Sequence, residues 1–132
     1  MGINMYYKKQ NKYRNVKIEI DGQVFDSQKE YRVYKELTYR QMAGEISNLQ
    51  RQVKFVLLPT QYYATDIKLK NGKPKMKAER AVEYIADFMY TDTATGLTIV
   101  ADCKSEITRK DKTYILKRKM MLYFHNIHIV EL

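Results

Sequence analysis

Two apolar, β-rich segments near the middle of the chain carry ionisable side chains where a buried core is expected. Residues 82–90 have Asp87 in their interior, and residues 98–104 end with Asp102 and Lys104 close together. Moving a lone carboxylate out of water is costly, so natural chains rarely do it without a partner or a metal ion. The pattern therefore predicts a functional site on two neighbouring strands, with the rest of the chain as its scaffold.

The length and the charge of the chain limit what it can be. With 132 residues it can build one domain with a real core, and it is too short for two. We expect a single domain over residues 15–132, preceded by a basic, Tyr-rich arm at residues 1–14. The 24 Lys and Arg residues exceed the 15 Asp and Glu residues, which gives a net charge of +9. This surplus favours a polyanionic partner, nucleic acid first, although a basic surface that serves only solubility has the same composition.

Cysteine content and hydropathy bear on the cellular location. Cys103 is the single cysteine, so no intramolecular disulfide can form and nothing indicates an oxidising compartment. No apolar run approaches the roughly 20 residues that cross a bilayer, and the N-terminus lacks a hydrophobic signal core. We expect a cytoplasmic protein with no membrane partner.

Turn and capping signals divide the chain into elements. The Asp21-Gly22 pair predicts an N-terminal β-hairpin over residues 16–25. Ser27 and Glu30 have the spacing of a capping box, which predicts a helix from there to about residue 43. The other predicted elements are a strand at 53–58, a hairpin within 60–80, strands at about 81–90 and 97–104, a helix from 108–111 to about 124, and a strand at 127–130. This order is typical of an α/β protein.

The acidic residues can meet at one place in such a fold. Side chains two positions apart point to the same face of a strand, so Asp102 and Lys104 emerge together, and Asp87 can lie opposite them on the neighbouring strand. Glu30 shares the inward stripe of the first helix and can close the group. Three carboxylates and a lysine suit Mg²⁺ or Mn²⁺, because hard cations take oxygen ligands. The lysine can hold a water molecule for attack on a phosphodiester.

These residues resemble the PD-(D/E)XK nuclease superfamily, whose motif is a helical Glu, an Asp on a strand, and (Asp/Glu)-x-Lys on the next strand. The resemblance covers roughly residues 26–130. It implies a restriction-endonuclease-like αβββαβ core, with a mixed central sheet flanked by helices, after the N-terminal β-hairpin. More narrowly, the chain resembles a family of small uncharacterised phage proteins that is similar to Holliday-junction resolvases. The matching residues are Asp21-Gly22, Phe25-Asp26-Ser27, Gly44-Glu45-Ile46, Leu49, Gln52, Tyr84-Ile85-Ala86-Asp87-Phe88 and Asp102-Cys103-Lys104.

The resemblance implies a Mg²⁺- or Mn²⁺-dependent endodeoxyribonuclease that acts in DNA recombination. Asp87, Asp102 and the backbone carbonyl of Cys103 would ligate the metal ion. Lys104 would position the attacking water, and Glu30 would bind a second metal ion or orient that water. The implied substrate is branched duplex DNA such as a Holliday junction, the implied assembly is a homodimer, and the implied origin is a phage or prophage gene.

Basic residues outside this cluster are candidates for contacts with DNA phosphates. They fall in the 60–80 hairpin and at the second long helix, where Lys117 is also the candidate for a polar residue lent to the site. Tyr62 and Tyr63 beside the hairpin can stack on bases or pack in the core. The predicted DNA-binding residues are Lys68, Lys70, Lys73, Lys75, Lys77, Arg80, Arg109, Lys110, Lys112 and Lys117.

Plainer interpretations of the same residues stay open at this point. Glu30 can serve only its capping box, and Asp102 with Lys104 can be a same-face ion pair that contributes ~0–1 kcal/mol. A protein that keeps the fold but only binds nucleic acid would show binding insensitive to divalent metal. A structural or assembly protein of a phage-like particle would bind protein partners and have no affinity for a duplex.

Overall fold

A computed structural model describes residues 6–8 and 16–132. Of the predicted basic arm at residues 1–14, it describes only strand β1 (Tyr6–Lys8), and the rest of the arm lies outside the described residues. β1 pairs with β2 (Lys17–Ile20), and β2 pairs with β3 (Gln23–Phe25), in a small antiparallel sheet. The N-terminal hairpin is therefore confirmed. Asp21 and Gly22 have the positive φ angles, 50° and 77°, that a type I′ turn requires.

Helix α1 (Gln28–Met42) begins and ends where the capping signals predict. The Ser27 side chain accepts a hydrogen bond from the backbone N–H of Glu30 at 3.1 Å, which satisfies a donor that the helix itself cannot. After the helix, Gly44 has a φ of 77°. This left-handed conformation is one that glycine adopts without a steric penalty, so the chain can leave the helix at that position.

The main sheet confirms an α/β fold with a mixed sheet of four strands. Its strand order is β4-β7-β8-β9, with β7 antiparallel to β4 and β8, and with β9 parallel to β8. A separate two-stranded hairpin lies between β4 and β7 in the chain. The elements are β4 (Ile46–Leu58), β5 (Gln61–Lys68), β6 (Pro74–Glu79), β7 (Val82–Asp92), β8 (Thr98–Asp102), α2 (Glu106–Arg109), α3 (Lys112–His125) and β9 (Val130–Glu131).

The strand predicted at residues 53–58 is much longer than expected, because β4 begins at Ile46. Two residues within it, Asn48 and Gln52, have φ values of 55° and 52°. The register with β7 shifts between Ser47 and Gln50. Such irregularities break the strict alternation of side chains, and that alternation is the signal by which a strand is recognised in a sequence.

The C-terminal elements also differ in their limits from the prediction. The strand predicted to reach residue 104 ends at Asp102, so Lys104 follows the strand in a loop. The second long helix is confirmed, because Asp111 caps α3 with its side chain, and the four-residue α2 that precedes it is an additional element. The last strand occupies Val130 and Glu131 instead of residues 127–130.

The main sheet has a hydrophobic cluster on each face. One cluster joins β7 and β8 to α3 through Ala86, Val100 and Met121, and the other joins β7 to α1 through Phe88 and Leu37. Ala86 and Phe88 are two residues apart, and a regular strand would place both on one face. The strand therefore changes faces at Asp87, the residue between them.

The described part of the chain contains no helix of the length and apolar character needed to cross a membrane.

Candidate functional site

Glu30 lies in the first turn of α1 and is 2 % exposed. Its Oε2 accepts a hydrogen bond from the backbone N–H of Asp26 at 3.1 Å, so it does cap the helix entry, although not through the Ser27 N–H that a capping box predicts. Its Oε1 faces β4 and accepts hydrogen bonds from Gln52 at 3.1 Å and from Arg51 at 3.3 Å. Capping therefore uses one carboxylate oxygen, and the other belongs to the site.

Asp87 and Asp102 meet where the pairing of β7 with β8 ends. The final residue pair of the ladder is Phe88 with Ala101. At the next position the backbone N–H of Asp87 donates to Oδ1 of Asp102 at 2.8 Å, and the N–H of Cys103 donates to Oδ2 of Asp87 at 2.9 Å. The two carboxylates are thus fixed by backbone donors of the opposite strand. The structure brings these two predicted residues together, as expected.

Lys104 lies beside Asp102, also as expected. Its Nζ is 3.7 Å from Oδ2 of Asp102, which is an ion pair but too long for a hydrogen bond. It also lies 5.1 Å from the centre of the Tyr114 ring. The Asp102 side chain is 0 % exposed, and within the described residues its Oδ2 has no hydrogen-bond partner. Lys104 thus balances the charge of this buried oxygen, which can still accept a hydrogen-bond donor or a cation.

Gln52 and Arg51 are site residues to which the sequence motifs assign no role. The side-chain Nε2 of Gln52 donates to Oε1 of Glu30 and, at 3.3 Å, to Oδ1 of Asp87. The Arg51 guanidinium pairs with Glu30 and stacks 3.8 Å from the centre of the Phe25 ring. Gln52 is among the residues of the resemblance, but an amide in a strand carries no chemical signal of its own. Only the tertiary contacts identify it.

Burial makes the negative charge of this cluster unfavourable. It raises the pKa of Glu30 to about 7, and the nearby charge of Asp87 adds to that rise. The pKa of Asp87 and that of Asp102 are also raised by burial, and the charge of Lys104 opposes the rise in both. Near neutral pH the site therefore gains free energy from a proton or from a bound cation.

A cleft of about 400 Å³ opens onto part of this cluster, and the buried Asp102 is not among the residues that line it. Glu30, Asp87 and Lys104 line it, together with the N-terminal end of α1 and the loop after β8. The cleft is also bordered by basic and hydroxyl side chains that suit an anionic ligand. These are Lys17, Lys29, Ser27, Ser105 and Thr108.

The residues present fit a magnesium or manganese ion with few protein ligands. Among residues 6–8 and 16–132, no three His, Cys, Asp or Glu side chains are arranged to hold a metal ion. Mg²⁺, however, uses one or two carboxylates and keeps several waters. The Oδ2 of Asp102, which lacks a hydrogen-bond donor within the described residues, is the observation that favours such an ion. Each oxygen of Asp87 accepts one hydrogen bond and so keeps a lone pair for a ligand. The backbone carbonyl of Cys103 follows directly after Asp102.

The basic residues predicted to bind DNA divide into two groups. The first group is on the β5–β6 hairpin, where every side chain from residue 66 to residue 80 is exposed. Tyr63 pairs with Lys77, so these side chains share one face, while Tyr62, paired with Ala78, and Ala64, paired with Met76, share the other. The exposed basic side chains of this hairpin are Lys68, Lys70, Lys73, Lys75, Lys77 and Arg80.

The basic residues of the second group, near α2 and α3, differ in their exposure and in whether they form ion pairs. Arg109 forms an ion pair with Glu131 at 3.1 Å, so its charge is already partnered. Lys110 and Lys112 are exposed. Lys117 is half-buried and shares the lining of a small pocket with Lys104, but it does not line the cleft that holds Glu30 and Asp87.

The fold and the site together define an α/β protein with a cluster of buried carboxylates and a lysine at one end of a mixed sheet. The chain belongs to the family described as "Protein of unknown function (DUF1064)", whose model matches residues 10–130. Neither the curated proteins nor the solved structures include a significant match to the chain.

Proposed function

We propose that this protein is a metal-dependent endodeoxyribonuclease that cleaves branched duplex DNA, in the manner of a Holliday-junction resolvase. The observation that carries the proposal is the joining of Asp87 to Asp102 where the pairing of β7 with β8 ends, with Lys104 beside Asp102. Glu30 contacts the same cluster from α1 through Gln52. The proximity of the residues that resemble the PD-(D/E)XK motif supports the proposal.

The order of the elements supports a restriction-endonuclease-like core as part of this proposal. With the N-terminal strands, the β5–β6 hairpin and the four-residue α2 set aside, the chain runs α1, β4, β7, β8, α3, β9. That order is αβββαβ. The hairpin is then an insertion between the first and second core strands.

The proposed mechanism assigns a task to each residue of the cluster. Asp87, Oδ2 of Asp102 and the backbone carbonyl of Cys103 would hold Mg²⁺ or Mn²⁺, and this ion would stabilise the charge that develops on the phosphate. Lys104 lines the cleft and holds the attacking water beside the scissile phosphate. Glu30, with a pKa of about 7, orients that water and can accept a proton from it.

Positive charge around the cleft and on the hairpin supports DNA as the partner. Lys29 and Lys17 line the same cleft as Lys104, although Lys17 already pairs with Asp26 at 3.6 Å. The β5–β6 hairpin carries a second group of exposed lysines. We expect a bound duplex to contact both groups, and these phosphate contacts would make binding sensitive to salt.

A cleavage assay tests the proposal directly. The purified protein is incubated with linear duplex, single-stranded and four-way-junction DNA, with Mg²⁺, with Mn²⁺ and with chelator. We expect divalent-ion-dependent cleavage of the junction that is lost in Asp102→Asn. Because a junction presents two related strands to cut, the proposal includes a homodimer, which sedimentation can detect. Absence of cleavage on every substrate with both ions would refute the proposal.

The exposed basic hairpin also favours a second candidate function. A protein that binds nucleic acid without cutting it would need the lysines of the hairpin and not the carboxylates of the cleft. Its DNA affinity would be unchanged by chelator and by Asp102→Asn. The same set of substrates therefore separates the two candidates when binding is measured alongside cleavage.

A further inference from the structure

A second, smaller pocket of about 230 Å³ lies next to the cleft, and Lys104 is the one residue that lines both. Its walls come from β7, from the loop after β8 and from the first half of α3. The task assigned to Lys104 concerns the cleft, so this second pocket has no role in the mechanism described above. The residues that line it are Tyr84, Ile85, Lys104, Asp111, Thr113, Tyr114 and Lys117.

Tyr84 carries a buried hydroxyl group that the fold leaves without a partner. The residue is 4 % exposed, and within the described part of the chain its hydroxyl oxygen makes no hydrogen bond. The neighbouring Tyr114 differs, because its hydroxyl donates to Oε1 of Glu131 at 3.0 Å. Buried polar groups in native proteins are nearly always satisfied, so an unsatisfied one in the wall of a pocket indicates a ligand there.

Lysine side chains give this pocket an attraction for anions. Lys104 and Lys117 both line it, and both are partly buried, so water screens their charges less than it would at the surface. Lys104 already pairs with Asp102 at 3.7 Å. Lys117 is therefore the cation that the pocket has for a ligand of its own.

The N-terminus of α3 adds hydrogen-bond donors on the same wall. The first backbone N–H groups of a helix have no acceptor within it. The Asp111 side chain caps one of them, accepting from the N–H of Tyr114 at 2.9 Å. The N–H groups of Lys112 and Thr113 precede that position in the helix. The positive end of the helix dipole offsets the charge of Asp111 and favours an anion at this place.

The ligand that this set of donors fits is a phosphate group. A hydroxyl, an ammonium and backbone N–H groups can together satisfy several acceptor oxygens that carry a negative charge, and phosphate has such oxygens. The shared Lys104 makes the pocket a neighbour of the cleft. A nucleic-acid strand with one phosphate in the cleft has another phosphate close by.

We infer that the pocket is a second phosphate subsite, in which the Tyr84 hydroxyl and the Lys117 ammonium bind the backbone phosphate next to the scissile one. The inference rests on the proposed function for the identity of this phosphate, and an anion site can exist there without any cleavage. Holding the neighbouring phosphate fixes the strand at two points, which keeps the scissile phosphate in place beside Lys104.

Nuclear magnetic resonance tests the anion site in the wild type, in chelator, with inorganic phosphate as the probe. The backbone N–H signal of Thr113 should shift and saturate as phosphate is added, and sodium chloride at equal ionic strength should not reproduce this. Absence of a saturable shift would overturn the subsite. The measurement requires no variant to fold and no nuclease activity.

Tyr84→Phe removes the hydroxyl and keeps the ring. Phosphate should bind this variant about tenfold more weakly, because a hydrogen bond to a charged group is lost. Without phosphate, its melting temperature should equal or exceed that of the wild type, since the hydroxyl has no partner in the fold. A lower melting temperature would show that the hydroxyl serves the fold and would contradict the inference. Tyr90→Phe is the control, because Tyr90 lies on the same strand in the other hydrophobic cluster.

Fluorescence anisotropy in chelator then tests whether the phosphate belongs to DNA. Tyr84→Phe and Lys117→Gln should each bind four-way-junction DNA about tenfold more weakly than the wild type, and Tyr90→Phe should bind equally well. Unchanged DNA affinity in Tyr84→Phe, despite weaker binding of inorganic phosphate, would overturn the assignment to the DNA backbone.

These binding measurements separate the failure of the subsite from that of the proposed function. If the wild type cleaves no DNA but Tyr84→Phe and Lys117→Gln lose phosphate and DNA affinity as expected, the subsite stands and the proposed cleavage is refuted. If the wild type cleaves junctions and the two variants bind phosphate and DNA normally, the subsite alone is wrong.

Discussion

The backbone N–H of Asp87 donates to Oδ1 of Asp102 at 2.8 Å, and this bond lies in the interior of β7, one position beyond the last residue pair with β8. One oxygen of Asp102 thus has a structural task. The other, Oδ2, is buried, lies near Lys104 and has no hydrogen-bond donor in the described part of the chain. The two oxygens of one side chain can therefore be tested separately.

Substitution of Asp102 should separate folding from metal binding. Asp102→Asn keeps an acceptor for the Asp87 N–H, so its metal-free stability should stay within ~1 kcal/mol of the wild type. Asp102→Ala leaves that buried N–H unpaired and should lose ~1–3 kcal/mol. Melting curves with and without ~10 mM Mg²⁺ should show a stabilising shift in the wild type and none in either variant, because a cation that binds only the native state raises its stability. An equal Mg²⁺ shift in Asp102→Asn would exclude Asp102 as a ligand.

Lys104→Ala should lose catalysis and keep metal binding. The carboxylates bind the ion without the ammonium, so Mn²⁺ affinity should persist or increase once this positive charge is gone. Cleavage of four-way-junction DNA should fall by about 100-fold or more, because a misplaced reacting group has this effect. The matched control is Lys54→Ala, since Lys54 pairs with Glu83 at 3.6 Å away from the cleft. Full cleavage by Lys104→Ala would contradict the mechanism and leave only an ion pair worth ~0–1 kcal/mol.

Glu30 should make the metal-free protein less stable as the pH rises. Its pKa is about 7 in the folded state, above the 4.5 of an ordinary glutamate, so the folded protein holds the proton more tightly. The stability from this group is present below about pH 4.5 and is lost as the pH rises through about 7. The free energy of unfolding is measured with urea, in chelator, at pH 5 and at pH 8. Relative to the wild type, the free energy of unfolding of Glu30→Gln should be about 3 kcal/mol higher at pH 8 than at pH 5.

The control for this titration is Glu45→Gln. Glu45 pairs with Arg40 at 3.1 Å near the end of α1 and is largely exposed. Its substitution removes a carboxylate outside the cluster and is measured at the same two pH values. A pH-independent difference between Glu30→Gln and the wild type would show that the Glu30 carboxylate is not destabilised by burial.

The β5–β6 hairpin should bind phosphates without regard to base sequence. Charge reversal of Lys73, Lys75 and Lys77 together should weaken binding to all duplexes alike. The slope of log K against log salt should decrease by ~0.9 for each phosphate that the variant no longer neutralises. Binding is measured by fluorescence anisotropy across a salt series. Lys54→Glu on β4 is the control, and it should change the slope little. A flat salt dependence of the wild type would exclude the hairpin as a DNA-binding surface.

Local signals in the sequence were sufficient for much of the fold. The Asp21-Gly22 turn, the Ser27 cap of α1 and the end of that helix at Gly44 depend on backbone conformations and hydrogen bonds within a few residues. The order of elements and the α/β class follow from such signals in series. The four residues predicted for the site lie close together in the structure. This could be predicted because strand alternation indicates which side chains share a face.

Contacts between residues distant in the chain account for the rest. Gln52 meets Asp87 across 35 positions and Glu30 across 22, so no local pattern could reveal that its amide joins two carboxylates. The full length of β4 was hidden because residues with positive φ interrupt its alternation. The change of face at Asp87 likewise appears only once α1 and α3 pack on opposite sides of the sheet.

The acidic residues of the site could be identified from the order of amino acids alone, since Asp87 and Asp102 interrupt apolar strands. The hydrogen bonding of each carboxylate oxygen could not be predicted in this way. Which oxygen is held by a backbone donor, and which is left for a ligand, depends on donors that other strands bring to the site, and those donors take their positions only when the chain is folded.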